Sequence, residues 1–156
     1  MDANTLTLAI AVDGSETALQ AVRQGIALVG GGLNARLALL HVQEPATLLE
    51  LATQDSDLIA GAVMEAGEDL LAAAEALVQA AQVPFTSEIA LGEPATVLLD
   101  LAESLNATML IIGARGLGTL RRALMGSVSQ AVLNRANLPV LIVKPEEENE
   151  AGSADE

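Results

Sequence analysis

The sequence predicts an α/β protein built on one parallel sheet. Three observations carry that prediction. Short apolar runs alternate with longer segments of helical spacing, the order expected of strands joined by crossover helices. The run TMLIIGA, Thr108 to Ala114, is apolar without alternation, as a central strand buried on both faces is. The chain has 156 residues of which 51% are hydrophobic, enough for one domain around one core.

The elements follow in order. LTLAIAV, Leu6 to Val12, reads as the first strand and runs into the turn DGSE. Ser15 or Asp13 can cap the helix that follows, and Glu16 suits its positive N-terminal end. Leu19, Val22, Ile26 and Val29 repeat there at three- and four-residue spacing, until Gly30 to Gly32 stop the helix. ARLALLHV, Ala35 to Val42, is the second strand, followed by the turn residues Glu44 and Pro45. Leu48 to Gln82 is dominated by Ala, Leu and Glu and reads as one long helix, with Asp55 and Gly61 as the places where it could break. VPFTSEIAL, Val83 to Leu91, gives a third strand of weaker pattern. Gly92 to Pro94 form a loop entering a helix, with Pro in the first turn. Val97, Leu98, Leu101 and Leu105 mark that helix, and Asn106 ends it. After the strand at Thr108 to Ala114, a helix begins near Ser127, and LPVLIVK, Leu138 to Lys144, closes the sheet. Residues 1–145 form the expected domain. Residues 146–156, with six acidic residues and no basic one, read as a solvated tail.

Composition removes several function classes. The formal net charge is −14, with 7 Lys and Arg against 21 Asp and Glu. Together with a single Phe and no Tyr or Trp, this argues against nucleic acid, which needs basic faces and aromatic stacking platforms. There is no Cys, hence no disulfide, thiolate metal site or Cys nucleophile. No basic leader and no apolar run of roughly 18 residues is present, so a cytoplasmic protein without membrane insertion is expected. No Ser/His/Asp set, paired-carboxylate site or metal cluster stands out. The only histidine, His41, lies inside a strand and reads as a structural neighbour.

Against this acidity, one stretch collects positive charge. GARGLGTLRRALMGS, Gly113 to Ser127, holds Arg115, Arg121, Arg122 and four glycines. It sits beyond the carboxyl end of a parallel strand and before a helix N-terminus, where doubly wound folds bind ligands. A helix N-terminus offers unpaired N–H groups and partial positive charge, which suit phosphate. Glycine lets the backbone approach a ligand closely. The P-loop pattern fails because no Lys precedes Ser127, and the dinucleotide pattern G-x-G-x-x-G fails at Arg121. Arg121 and Arg122 read equally well as surface charge and are left out of the candidate site.

The spacing Gly113-x2-Gly116-x9-Gly126-Ser127 resembles the G-x2-G-x9-G-[ST] signature of the universal stress protein family. AVDGSE, LLHV, GEP, LIIGARG, GSVSQAVL and LPVLIV are similar to that family's segments in the same order across the folded chain. The resemblance implies a Rossmann-like sheet of order 3-2-1-4-5 and an adenine nucleotide, ATP in the first place, across strands 1 and 4. By the same resemblance, Asp13 and the backbone around Ala11 and Val42 hold adenine and ribose. Gly113, Arg115 and Gly116 line ribose and phosphates. Gly126, Ser127, Val128 and Ser129 cradle the phosphates. Position 11 is Ala where some nucleotide-binding relatives carry Pro. Mg or Mn would arrive on the phosphates, and a homodimer would form through the last strand, 138–144. The expected role is a nucleotide-responsive regulator or stress-survival factor and not an enzyme. The rival class is an interaction module with a vestigial pocket, for which an unidentified protein is the partner.

Overall fold

The computed structural model describes residues 3–44, 56–115 and 125–145. Among them strands and helices alternate as β1 (Leu6–Ala11), α1 (Glu16–Gly30), β2 (Ala35–Gln43), α2 (Ser56–Ala80), β3 (Phe85–Leu91), α3 (Pro94–Ser104), β4 (Met109–Gly113), α4 (Ser127–Arg135) and β5 (Val140–Val143). All pairings are parallel, in the order β3-β2-β1-β4-β5. β1 pairs with β2 from Leu6 against Ala35 to Ala11 against Leu40, and with β4 from Leu8 against Met109 to Ile10 against Ile111.

Local chemistry sets most boundaries. Of the two candidate caps for α1, Ser15 takes the role: its hydroxyl accepts from the Ala18 N–H at 3.1 Å. Asp13 instead accepts from the Ser15 N–H at 2.9 Å and shapes the turn before the helix. Gly14 in that turn has φ +86°, a left-handed conformation that glycine adopts without steric cost. α3 carries Pro94 in its first turn, and Asn106, at φ +53°, reverses the chain after it.

Two strands start later than the apolar pattern suggests. β3 begins at Phe85 and not Val83, because Val83 donates its N–H to Val78 and so closes α2. Pro84 has no N–H to give, although its carbonyl accepts from Leu37 at 2.9 Å. β5 begins at Val140 and not Leu138 for the same reason: Pro139 offers only a carbonyl, which accepts from Leu110 at 2.9 Å. α2 runs unbroken through Gly61. One glycine costs about 1 kcal/mol relative to Ala, too little to interrupt a long helix. The expected start of this helix at Leu48 falls outside the described residues, as do Asp55 and the acidic tail.

The sheet has two apolar faces. Leu8, Ile10, Leu37, Leu39 and Ile111 pack under Ala21 and Val22 of α1 and Leu71, Ala74 and Val78 of α2. Ala9, Ala38, Leu40, Leu110 and Ile112 pack under Ala95, Leu98 and Ala102 of α3 and Val132 of α4. The core is aliphatic, as the single Phe requires. Among the described residues no helix is long and apolar enough to cross a membrane.

On the second face a polar clamp joins the two helices. The Glu93 carboxylate caps α3, accepting from Thr96 N–H at 2.8 Å, and lies 3.4 Å from the Arg135 guanidinium of α4. The hydrogen bonds from Thr96 come first, and the Arg135 charge adds to them; together they hold the Glu93 carboxyl below its ordinary value of 4.5. A lowered folded-state pKa gives stability that is present above the ordinary value and lost as pH falls through the folded one. Glu93→Ala should therefore lower the urea midpoint at pH 7, and the gap to the parent protein should close below about pH 4.5. A gap that is unchanged down to pH 3 would remove the carboxylate from this role.

Candidate functional site

β1 and β4 are neighbours, yet the chain leaves them in opposite directions. α1 follows β1 onto one face of the sheet, and α4 follows β4 onto the other. Among the described residues no connection crosses the carboxyl edge between them, and a crevice forms there. It measures about 180 Å³.

The inner surface is apolar. Ala11, Leu40, Val42 and Ile112 rise from the strands, Pro94 and Leu98 come from α3, and Val128 comes from α4. Polar groups collect around this surface: Asp13 and Ser15 from the β1–α1 turn, Arg115 after β4, and Ser127 and Ser129 in the first turn of α4. An apolar slot bordered by a carboxylate, hydroxyls, a guanidinium and a helix N-terminus can seat a heteroaromatic ring with a charged substituent.

The α4 end is built by short hydrogen bonds. Gly126 is the N-cap, and its N–H donates to the Ala114 carbonyl at 2.6 Å. Ser127 is thus the first helical residue and not the cap, and among the described residues no side chain caps this end. No described side chain accepts from the first N–H groups of α4, which border the cleft. At φ −64° Gly126 has a backbone that any residue adopts, so its value lies in the room it leaves. The Ser129 hydroxyl is buried and donates to the Gly113 carbonyl at 2.6 Å, tying α4 to the end of β4. Its hydrogen is committed there, and only its oxygen lone pairs remain for a ligand.

Gly113 serves packing. A Cβ at this position would lie 2.7 Å from Thr17 Cγ2 and 3.2 Å from the Thr17 carbonyl carbon. The bare backbone lets the first turn of α1 close onto β4, at the border of the cleft.

Nine residues designated from the sequence line the cleft: Ala11, Asp13, Val42, Gly113, Arg115, Gly126, Ser127, Val128 and Ser129. The tenth, Gly116, lies outside the described residues, as do Arg121 and Arg122. The sequence reading missed Leu40, Pro94, Leu98 and Ile112 as wall residues and took Ser15 only for a cap. Leu40 and Ile112 share a sheet face with Val42, a period-two signal. Nothing local announces that α3 covers that face. Among the described residues no group of three or more His, Asp or Glu is placed to hold a metal ion.

Comparison with known proteins agrees with this arrangement. Universal stress protein MJ0531 of Methanocaldococcus jannaschii is 29% identical over 138 residues, covering 88% of this chain and 81% of the relative. The solved structure of MJ0577 superposes with a TM-score of 0.80 at 23% identity, covering 93% of this chain and 99% of that one, and shares the fold. A universal stress protein solved in complex with cAMP is 26% identical, with a TM-score of 0.62 over 90% of this chain and 98% of its own. The sequence model of the universal stress protein family matches residues 6–144, nearly the whole of the described sheet and its helices: the chain belongs to the universal stress protein family.

Proposed function

We propose that the cleft binds an adenine nucleotide, ATP in the first place, and that the protein is a nucleotide-responsive regulatory or stress-survival factor of the cytoplasm and not an enzyme. One observation carries the reading. The apolar slot and the uncapped end of α4 are parts of one cleft, so a base and its phosphates would be met by walls of matching chemistry. A family member solved with cAMP supports an adenine ligand.

In this reading Ala11, Val42 and Leu98 sandwich the base, and Asp13 accepts from ribose hydroxyls. The α4 N–H groups of Ser127 and Val128 donate to phosphate oxygens, with Arg115 supplying positive charge. A divalent ion, Mg²⁺ or Mn²⁺, would come with the phosphates and share their charge, with Ser127 and Asp13 as its nearest oxygen donors. The non-enzymatic role is supported by the chemistry of the lining. Asp13 and Arg115 are its titratable groups among the described residues, and His41 is turned to the other face of the sheet. Adenine nucleotide released on denaturing freshly purified protein is the direct test.

Gly126→Val should abolish ATP binding in calorimetry while the circular dichroism of the fold is kept, since branched carbons at the N-cap would fill the space of the phosphates. Unchanged affinity in the folded variant refutes the proposed site. Arg115→Ala should weaken ATP more than adenosine, because a guanidinium acts on phosphate charge. Equal losses for both would take Arg115 out of that role.

The last strand carries the assembly we propose. β5 is an edge strand, and Val140 to Val143 are apolar and only half-buried. An uncharged edge invites pairing with a second copy about a two-fold axis. Light scattering should give twice the chain mass, and a monomer mass persisting at high concentration excludes the dimer.

A further inference from the structure

His41 is 3% exposed and lies on the face of the sheet opposite the cleft, under α2. Its ring is the only imidazole of the chain, and the binding chemistry above does not use it. Its partners are specific. Nδ1 lies 2.8 Å from the Val12 carbonyl oxygen, and Nε2 lies 3.2 Å from Gln43 Oε1. A carbonyl can only accept, so Nδ1 carries a proton and donates it to Val12. The Gln43 amide, by rotating, serves Nε2 whether that nitrogen is bare or protonated.

The bonded residue gives this contact its meaning. β1 ends at Ala11, and the last backbone rung from its end is the Val12 N–H donating to Leu40 at 2.8 Å. The Val12 carbonyl would be left where the ladder stops, and the His41 ring takes it. The Val12 carbonyl and the Asp13 N–H belong to one rigid peptide plane. The Leu40 bond holds the plane before Val12 and the His41 bond holds this one, so both planes flanking Val12 are anchored and the direction in which Asp13 leaves the sheet is fixed. Asp13 then holds the Ser15 N–H, and Ser15 holds the Ala18 N–H. A continuous series of bonds thus runs from the ring to the lip of the cleft.

The ring in turn is held by a notch in α2. A Cβ on Gly67 would lie 3.2 Å from His41 Cδ2 and 2.8 Å from Ile89. Gly67 therefore leaves room for the imidazole against the helix. Three residues further along α2, Leu70 packs on Gly14, in the same turn as Asp13.

We propose that His41 is a positioning residue of the cleft: from behind the sheet its Nδ1–H holds the Val12 carbonyl and so aims Asp13 at the ligand. The inference rests on the nucleotide reading only for what Asp13 meets. The positioning itself is a property of the ligand-free protein.

Two variants and two measurements test it. His41→Asn puts an amide N–H where Nδ1–H stands, and His41→Leu has the same shape without a donor. Amide hydrogen exchange at Ser15 and Ala18, measured without ligand, should speed up in His41→Leu and return to the parent rate in His41→Asn. ATP affinity, measured by calorimetry, should fall about two- to tenfold in His41→Leu, the worth of one hydrogen bond, and recover in His41→Asn. In an Asp13→Ala background, His41→Leu should cost nothing further, since two residues acting through one group are not additive. If His41→Leu does not fold, His41→Phe keeps a ring against Gly67, lacks the N–H, and is read in the same way. Unchanged exchange at Ser15 and Ala18, or an affinity loss undiminished in the Asp13→Ala background, overturns the proposal. A parent protein that binds no ATP overturns the nucleotide reading instead, and the exchange rates alone then judge His41.

Discussion

The handedness of the crossover connections is the constraint on which the rest of this structure depends. A strand, helix and parallel strand pack back onto one sheet only in the right-handed sense. Moving from β1 to β2 to β3 therefore places α1 and α2 on one face. The return from β3 to β4 and on to β5 places α3 and α4 on the other. The reversal falls between β1 and β4. At that point no described helix or loop spans the carboxyl edge, and the cleft lies there. The site is a consequence of topology before it is a consequence of any side chain.

Small residues let the helices come close enough to shape it. Ala9 and Ala38 on the sheet meet Ala95 and Ala102 of α3, and the bare Gly113 backbone meets Thr17 of α1. Each contact shortens the distance between a helix and the sheet. The first turns of α1 and α4 are drawn toward the same point as a result. Ser129 then fixes α4 to β4 by one buried hydrogen bond. An aromatic core would hold these layers farther apart.

Charge is distributed to match. The chain is strongly acidic, yet the segment after β4 carries Arg115, Arg121 and Arg122. The polar rim of the cleft adds the positive end of α4, with no capping carboxylate among the described residues to neutralise it. In the proposed reading, an anion approaching this acidic protein would be repelled elsewhere and received here.

Much of this was legible in the sequence, because it rests on local rules. The Ser15 cap, Pro94 in the first turn of α3, the left-handed Asn106 and the unbroken run of β4 depend on neighbours a few residues away. The resemblance to the universal stress protein family designated nine residues that line the cleft, since strand ends and helix starts mark its rim. The late starts of β3 and β5 needed one more local rule, that proline gives no N–H. The tertiary structure decided what depends on distant partners. It turned the Ser129 hydroxyl inward onto Gly113, sixteen residues away, and brought Pro94 and Leu98 over the β2 and β4 face. It made Gly113 a packing position and gave His41 the Val12 carbonyl across 29 residues of sequence. Local pattern reports which face of an element is apolar, but only the closed sheet determines which atom lies opposite.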